Sequence, residues 1–508
     1  MTSLGEGAAS HRINQDPPET PSKDIKAIKI RLAFFFDGTL NNRTNIAERE
    51  KYDRLQKDLD EKYPLINNRS HRRKYGRERS RKLSDNAYAN KNVYQKNFVV
   101  SYNNDYSNIV YLDEILDTDH KGDYDIFEKI YIEGVGTENL SQDKMIKGGA
   151  LGKGKTGIRA KVNRAVSILK QQLLIIAKDK YKVSELSLDF FGFSRGAATA
   201  RFAITQLLDG ATYPLDQALE DLGFVLQLPN GPKINFVGIY DTVPAHGLDH
   251  TDDVAELKQR NIAEAQRVLH LCAADEHRKN FSLVTASSAK GKGREIYLPG
   301  VHSDVGGGYR DELAEAEQQK HQAYAKLRRG EMTETKYHET LQTKDILLRR
   351  SSNRSTIEAD KEYFIQLGYY QDNELYIKGG HGRSRSYSLM AKARSVPNDY
   401  YRIGLHIMAD EYKDHGNVGY KQKIFDGYNI PEDLQQEYQA ITAYVNRIQD
   451  IGFSHENDWL LCQEPWLKDL RRRYLHISAK PDTIGMGPRF EPEASEFQSG
   501  RKRCLFEG

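Results

Sequence analysis

A mostly parallel, doubly wound α/β sheet is the fold class this chain predicts, and three features predict it. Short apolar runs of strand length recur along the chain, they alternate with segments of helical periodicity, and several stop abruptly at an Asp or Ser beside glycine. The 508 residues suffice for one enlarged α/β domain or two ordinary ones. No stretch approaches the roughly 18 apolar residues of a spanning helix. Lys+Arg 75 against Asp+Glu 72 leaves a net charge of +3, so no nucleic-acid partner is expected. The three cysteines, Cys272, Cys462 and Cys504, lie too far apart for a disulfide framework or a zinc pattern, which fits folding in a reducing cytoplasm. The opening residues lack a basic-then-apolar profile, so no signal peptide is expected.

Residues 1–25, polar and rich in Pro and Ser, read as a flexible N-terminal arm. The core is expected over 26–310. Its first strand, 28–36, ends at Asp37-Gly38-Thr39, a buried strand entering a tight loop. A dense run of Lys, Arg and Glu over 48–97 reads as a charged, solvated helical insertion. A second strand is expected at 127–135, then a glycine-rich stretch and a helix over 158–180 with Val162, Ala165, Val166, Leu169 and Leu173 on one face. The strand 184–193 meets Ser194-Arg195-Gly196 and the helix ATARFAITQLL. A strand at 233–240 ends at Asp241, a helix is expected over 254–270, and a short strand precedes the loop Val301-His302-Ser303-Asp304. Residues 311–398 read as a helical charged insertion, 399–479 as completion of the core with a helix near 401–413, and 480–508 as an extended C-terminal tail. Sheets of this class place their sites at the carboxyl ends of their strands.

Two glycine motifs compete for the chemistry. Gly192-Phe193-Ser194-Arg195-Gly196 matches the nucleophile elbow, in which small residues let a serine sit on a sharp strand-to-helix turn. Residues 149–156, GALGKGKT, match a phosphate-binding loop, and a P-loop NTPase is the alternative they offer. That loop needs its first glycine directly at a strand end, whereas polar sequence intervenes after 135. The elbow has the better placement.

An activated serine needs a base and a group that orients it, in the order Ser, Asp, His along hydrolases of this kind. Asp241 and His302 follow Ser194 at consecutive strand ends; His406 and His476 are the other possible bases. The backbone N–H groups of Arg195 and of Gly38 or Thr39 are candidate oxyanion donors. Asp37 reads as a loop-binding carboxylate, and Asp304 as a turn cap or an aid to the histidine. Asp37, Asp241, His302 and Asp304 would alternatively form a metal-dependent phosphoesterase centre, which leaves the serine idle. The triad reading calls for no metal and no cofactor. A non-catalytic adaptor using the charged insertions is the third class.

Four segments together, FFFDGTLNN, GFSRGAA, the strand ending Asp241-Thr242-Val243, and PGVHSDVGGGY, resemble the α/β-hydrolase family that includes the first lipase family of bacterial type VI secretion effectors. The likeness runs from residue 26 to 310 and resumes near 401–416. It implies an antibacterial serine phospholipase of the A1 or A2 class, with Ser194, Asp241 and His302 on the triad positions. It also implies membrane phospholipid as substrate, a secretion spike and an immunity protein as partners, residence in the producer's cytoplasm, and delivery to the periplasm and membrane of a target cell.

Overall fold

A computed structural model describes residues 26–507 except 64–68, 93–99, 144–153, 177–180, 209–218, 230, 245–258, 313–319, 321, 325, 328–330, 342–344, 380–385, 449–455, 483–485 and 490–502. Six parallel strands form the central sheet: β1 (Ala27–Phe36), β2 (Ile126–Ile132), β3 (Tyr181–Phe193), β4 (Lys233–Tyr240), β5 (Arg267–Ala273) and β6 (Gly293–Leu298). Their order is β2-β1-β3-β4-β5-β6, with the short strand Phe224–Leu226 beside the start of β3. The chain reverses its direction of winding between β1 and β3, and β3 carries the elbow at that switch.

Both faces of the sheet are buried, and the two-residue period of the strands sorts their side chains between two cores. Ile28, Ile30, Leu32, Phe34 and Phe36 of β1 join Leu186, Leu188 and Phe190 of β3 on one face. Ala33 and Phe35 join Phe191 and Phe193 on the other. Stacked rings at 5.3 Å (Phe34–Phe190) and 4.7 Å (Phe35–Phe191) lock the two strands in register. Helices α4 (Ile158–Ile176) and α5 (Arg195–Leu208) cover the first face, α4 through Ile158, Val162, Ala165, Leu169 and Leu173. Helices α3 (Asn108–Ile115) and α8 (Tyr401–Gly416) cover the second. On that face Arg31 is buried, its charge met by Asp189 at 2.7 Å and by the carbonyl of Gly416 at 2.5 Å.

The charged run after β1 forms α1 (Arg43–Lys62) and α2 (Arg69–Leu83). Asn42 caps α1, accepting from the N–H groups of Thr44 and Asn45.

Two expectations change. The helix expected over 254–270 is not there: residues 259–264 form a tight 3₁₀ turn and Arg267–Ala273 is strand β5, while 254–258 lie outside the described residues. RVLHLCA is buried from Val268 to Ala273, but Arg267 and His270 break its apolar residues, so it carries neither helical nor alternating periodicity. The stretch 311–398, expected to be helical, holds a three-stranded antiparallel sheet of β7 (Ile346–Ser352), β8 (Leu375–Gly379) and β9 (Tyr387–Ala391) beside α7 (Arg354–Leu367). Leu348, Phe364, Leu375 and Leu389 pack it into the main core, and Arg349 pairs with Asp360 as a buried ion pair between β7 and α7. The loop of the phosphate-binding pattern, 149–153, lies outside the described residues.

Candidate active site

The elbow is built by close approach. Ser194 sits between β3 and α5 at φ +60°, a conformation that side chains avoid unless their surroundings impose it. A Cβ on Gly192 would lie 2.6 Å from Cα of Ala197, and one on Gly196 would lie 2.3 Å from the carbonyl oxygens of Phe36 and Asp37. Both flanking glycines of the motif are therefore steric requirements. The Ser194 N–H donates to the carbonyl of Tyr240 at 3.0 Å, which ties the elbow to the end of β4. Ala197 and Ala198 close the first turn of α5 onto the Ser194 carbonyl. The earlier N–H groups, that of Arg195 included, have no acceptor within the helix.

Asp241, the next residue after β4, is also at positive φ, +41°. Its N–H donates to Leu271 at 2.7 Å, and its Oδ1 accepts from Ala273 N–H at 2.9 Å. Thr242 is held in turn by Nε2 of His270, whose Nδ1 faces Glu295 at 3.0 Å. His302 opens the short helix α6 (His302–Gly306), and its Nδ1 lies 2.5 Å from Oδ2 of Asp241. The imidazole rests against the ring of Phe193, 4.6 Å between centroids, so it lies beside the elbow. Phe281 meets the imidazole edge-on, 5.0 Å between centroids. Among the described residues no hydrogen bond joins Ser194 Oγ to His302, a contact that commonly tightens only around substrate.

Burial pushes the His302 imidazole below its usual pKa, against the upward pull of Asp241. Burial alone would raise the Asp241 carboxyl, but the charge of Arg503 and the contact with His302 outweigh it and hold the group well below the carboxylate range. Arg503 grips the carboxylate with both arms of its guanidinium, Nη1 to Oδ1 at 2.6 Å and Nη2 to Oδ2 at 3.0 Å. No local signal in RKRCLFEG marks that residue; only the tertiary structure brings it to the site.

The remaining site candidates separate. Asp37 binds its own loop and its neighbours, accepting from Gly38 N–H at 2.7 Å, Ser107 Oγ at 2.5 Å and Tyr131 OH at 2.6 Å. Gly38's N–H is thereby engaged, while Thr39 faces the elbow and accepts from Arg195 Nε at 2.7 Å. Asp304 caps α6 through Val301 N–H and pairs with His476 Nδ1 at 2.6 Å. His406 binds the carbonyl of Tyr428, away from the elbow. The four residues of the phosphoesterase alternative thus divide among three separate networks. Among the described residues the close His/Cys/Asp/Glu cluster is instead His270, Cys272 and Glu295, and its histidine nitrogens are already engaged by Glu295 and Thr242. No helix of the described residues is long and apolar enough to cross a membrane.

Two solved structures and one family model resemble this chain. A search of the solved structures returns a Tle1 effector bound to the VgrG spike of the type VI secretion system. It has 19% identity and a TM-score of 0.53 over 93% of this chain and 89% of that one, a likeness of fold. An uncharacterized protein from Pseudomonas aeruginosa matches at 16% identity and a TM-score of 0.28, over 89% of this chain and 64% of that one. No curated protein matches. The family model of the type VI secretion phospholipase effector, Tle1-like catalytic domain, matches residues 226–328, the segment that carries Asp241 and His302. By that match residues 226–328 are similar to the catalytic domain of the Tle1-like phospholipase effectors of the type VI secretion system.

Proposed function

We propose that this effector is a serine phospholipase of the A type, cleaving acyl esters of membrane glycerophospholipids through Ser194, His302 and Asp241. The observation that carries the reading is the hydrogen bond between His302 and Asp241 at strand ends beside a strained Ser194. His302 Nε2 takes the Ser194 proton as Oγ attacks the ester carbonyl, and later returns it to the departing glycerol oxygen. Asp241 fixes the proton on Nδ1 and steadies the imidazolium. The Arg195 N–H and the Thr39 N–H receive the oxyanion, each such donor being worth about 3–4 kcal/mol; Gly38's N–H is held by Asp37 and is the weaker candidate. Water then attacks the acyl-enzyme, with His302 again the base, and releases the fatty acid.

The target in this reading is the envelope of a rival bacterium, reached through its periplasm. A secretion spike carries the effector and an immunity protein restrains it. Mixed phospholipid vesicles treated with wild type and with Ser194→Ala test the chemistry. Fatty acid release by the wild type alone is expected; equal release by both overturns the serine mechanism.

A further inference from the structure

The C-terminal segment enters the site as a working part. Leu505–Phe506 pairs in parallel with Leu283–Val284, closing two backbone hydrogen bonds of 2.9 Å, Leu283 N–H to the carbonyl of Cys504 and Thr285 N–H to that of Phe506. Arg503, one residue ahead of Cys504, is 4% exposed and turns inward. Its Nε donates to the carbonyl of Phe281 at 2.6 Å, and its two Nη atoms take both oxygens of Asp241. Phe281 is the residue whose ring meets His302 edge-on.

On the serine-hydrolase reading above, we infer that Arg503 is a positioning residue of the reaction: seated by the C-terminal strand, it fixes the rotamer of Asp241 and offsets its charge, so that His302 is aligned and kept a neutral base. Asp241 has two oxygens and four donors. Ala273 N–H and one arm of Arg503 take Oδ1; the other arm and His302 take Oδ2. The planar fork leaves that carboxylate one orientation, the one in which Oδ2 meets Nδ1 of His302. The charge has a separate effect. A lone buried carboxylate would favour the imidazolium strongly, whereas one shared with a guanidinium favours it less. Of the other charged groups around His302, Glu276 accepts from the His302 N–H and is paired with Arg278, while Asp304, on the same short helix, is hydrogen-bonded to His476 Nδ1.

The test separates fork from charge in the full-length protein, using a soluble short-chain ester. Arg503→Met removes both. A fall in kcat of tenfold or more is expected with KM changed less than threefold, together with displacement of the acid limb of kcat/KM to higher pH as Asp241 pulls harder on the His302 proton. Arg503→Lys keeps the charge without the fork, so kcat should fall while the acid limb stays in place. A purely structural role predicts a lower Tm with kcat per folded molecule and the acid limb unmoved, and that result overturns the inference. Should Arg503→Met not fold, wild-type kcat in folded Arg503→Lys overturns it equally. Ser194→Ala runs in parallel: activity surviving there removes the serine reading and this inference with it, whereas an inactive Ser194→Ala beside a fully active Arg503→Met removes this inference alone.

Discussion

Asp37 and Asp241 look alike in sequence, each ending an apolar strand of the same sheet, FFFDGT and GIYDTV, and each fully buried at its carboxyl edge. They behave oppositely. Asp37 meets only neutral donors, and burial, against the hydrogen bonds of Ser107, Tyr131 and Gly38, pushes its pKa up. Asp241 meets a guanidinium and an imidazole, which overcome the same burial and drive its pKa down. One carboxylate organises a loop; the other is charged and faces a base. The motif supplies a carboxylate at the rim of the sheet, and the partners arriving from distant sequence decide its chemistry.

The contrast can be broken, beginning with the largest effect. Asp241→Asn should lower kcat by about 10⁴-fold while leaving the protein folded, because the amide imposes the wrong tautomer on His302. Asp37→Asn should lower kcat by less than about tenfold and cost about 1–2 kcal/mol of stability, read from chemical denaturation. Equal losses from the two substitutions would erase the distinction. Gly196→Ala should come next, destabilising by about 1–3 kcal/mol and displacing Ser194, since its methyl group would strike the backbone of Phe36 and Asp37. A melting curve unchanged from wild type would contradict the close approach. The pH profile sharpens the comparison further. On the proposed mechanism catalysis needs His302 neutral, so kcat/KM should rise with pH through its pKa, and burial places that acid limb below the ordinary imidazole value of about 6.5. A limb above that value would mean that Asp241 dominates burial. The smallest effect is expected from Tyr131→Phe, which takes one hydrogen bond from Asp37 and should cost about 1 kcal/mol with kcat nearly unchanged.

Much of the frame was legible along the chain. The strands 28–36, 184–193 and 233–240 are apolar runs that the structure buries, and the helix beginning at Ile158 has a period that its burial reproduces. The elbow was legible because its constraint is local: glycines two residues either side of Ser194 admit a turn that side chains would block. Strand β5 was not, because Arg267 and His270 interrupt its apolar residues and leave no uninterrupted run of strand length. The sheet inside 311–398 was hidden by the charge of that stretch, Arg349 of β7 included. Arg503 had no local sign at all, since a basic residue among basic residues reads as solvated until a buried carboxylate is found opposite it.

By itself the sequence determined the strand-and-helix alternation, the sharp turn at Ser194 and the order in which serine, aspartate and histidine reach the sheet's rim. These follow from local sterics and from the period of apolar residues, which act over a few positions. Only the tertiary structure decided that Thr39 Oγ1 accepts from Arg195 at the elbow, that Gly38 N–H is taken by Asp37, and that a guanidinium 262 residues from Asp241 holds its carboxylate. Electrostatic partnership depends on distance in space and on the exclusion of water, and neither can be read from spacing along a chain.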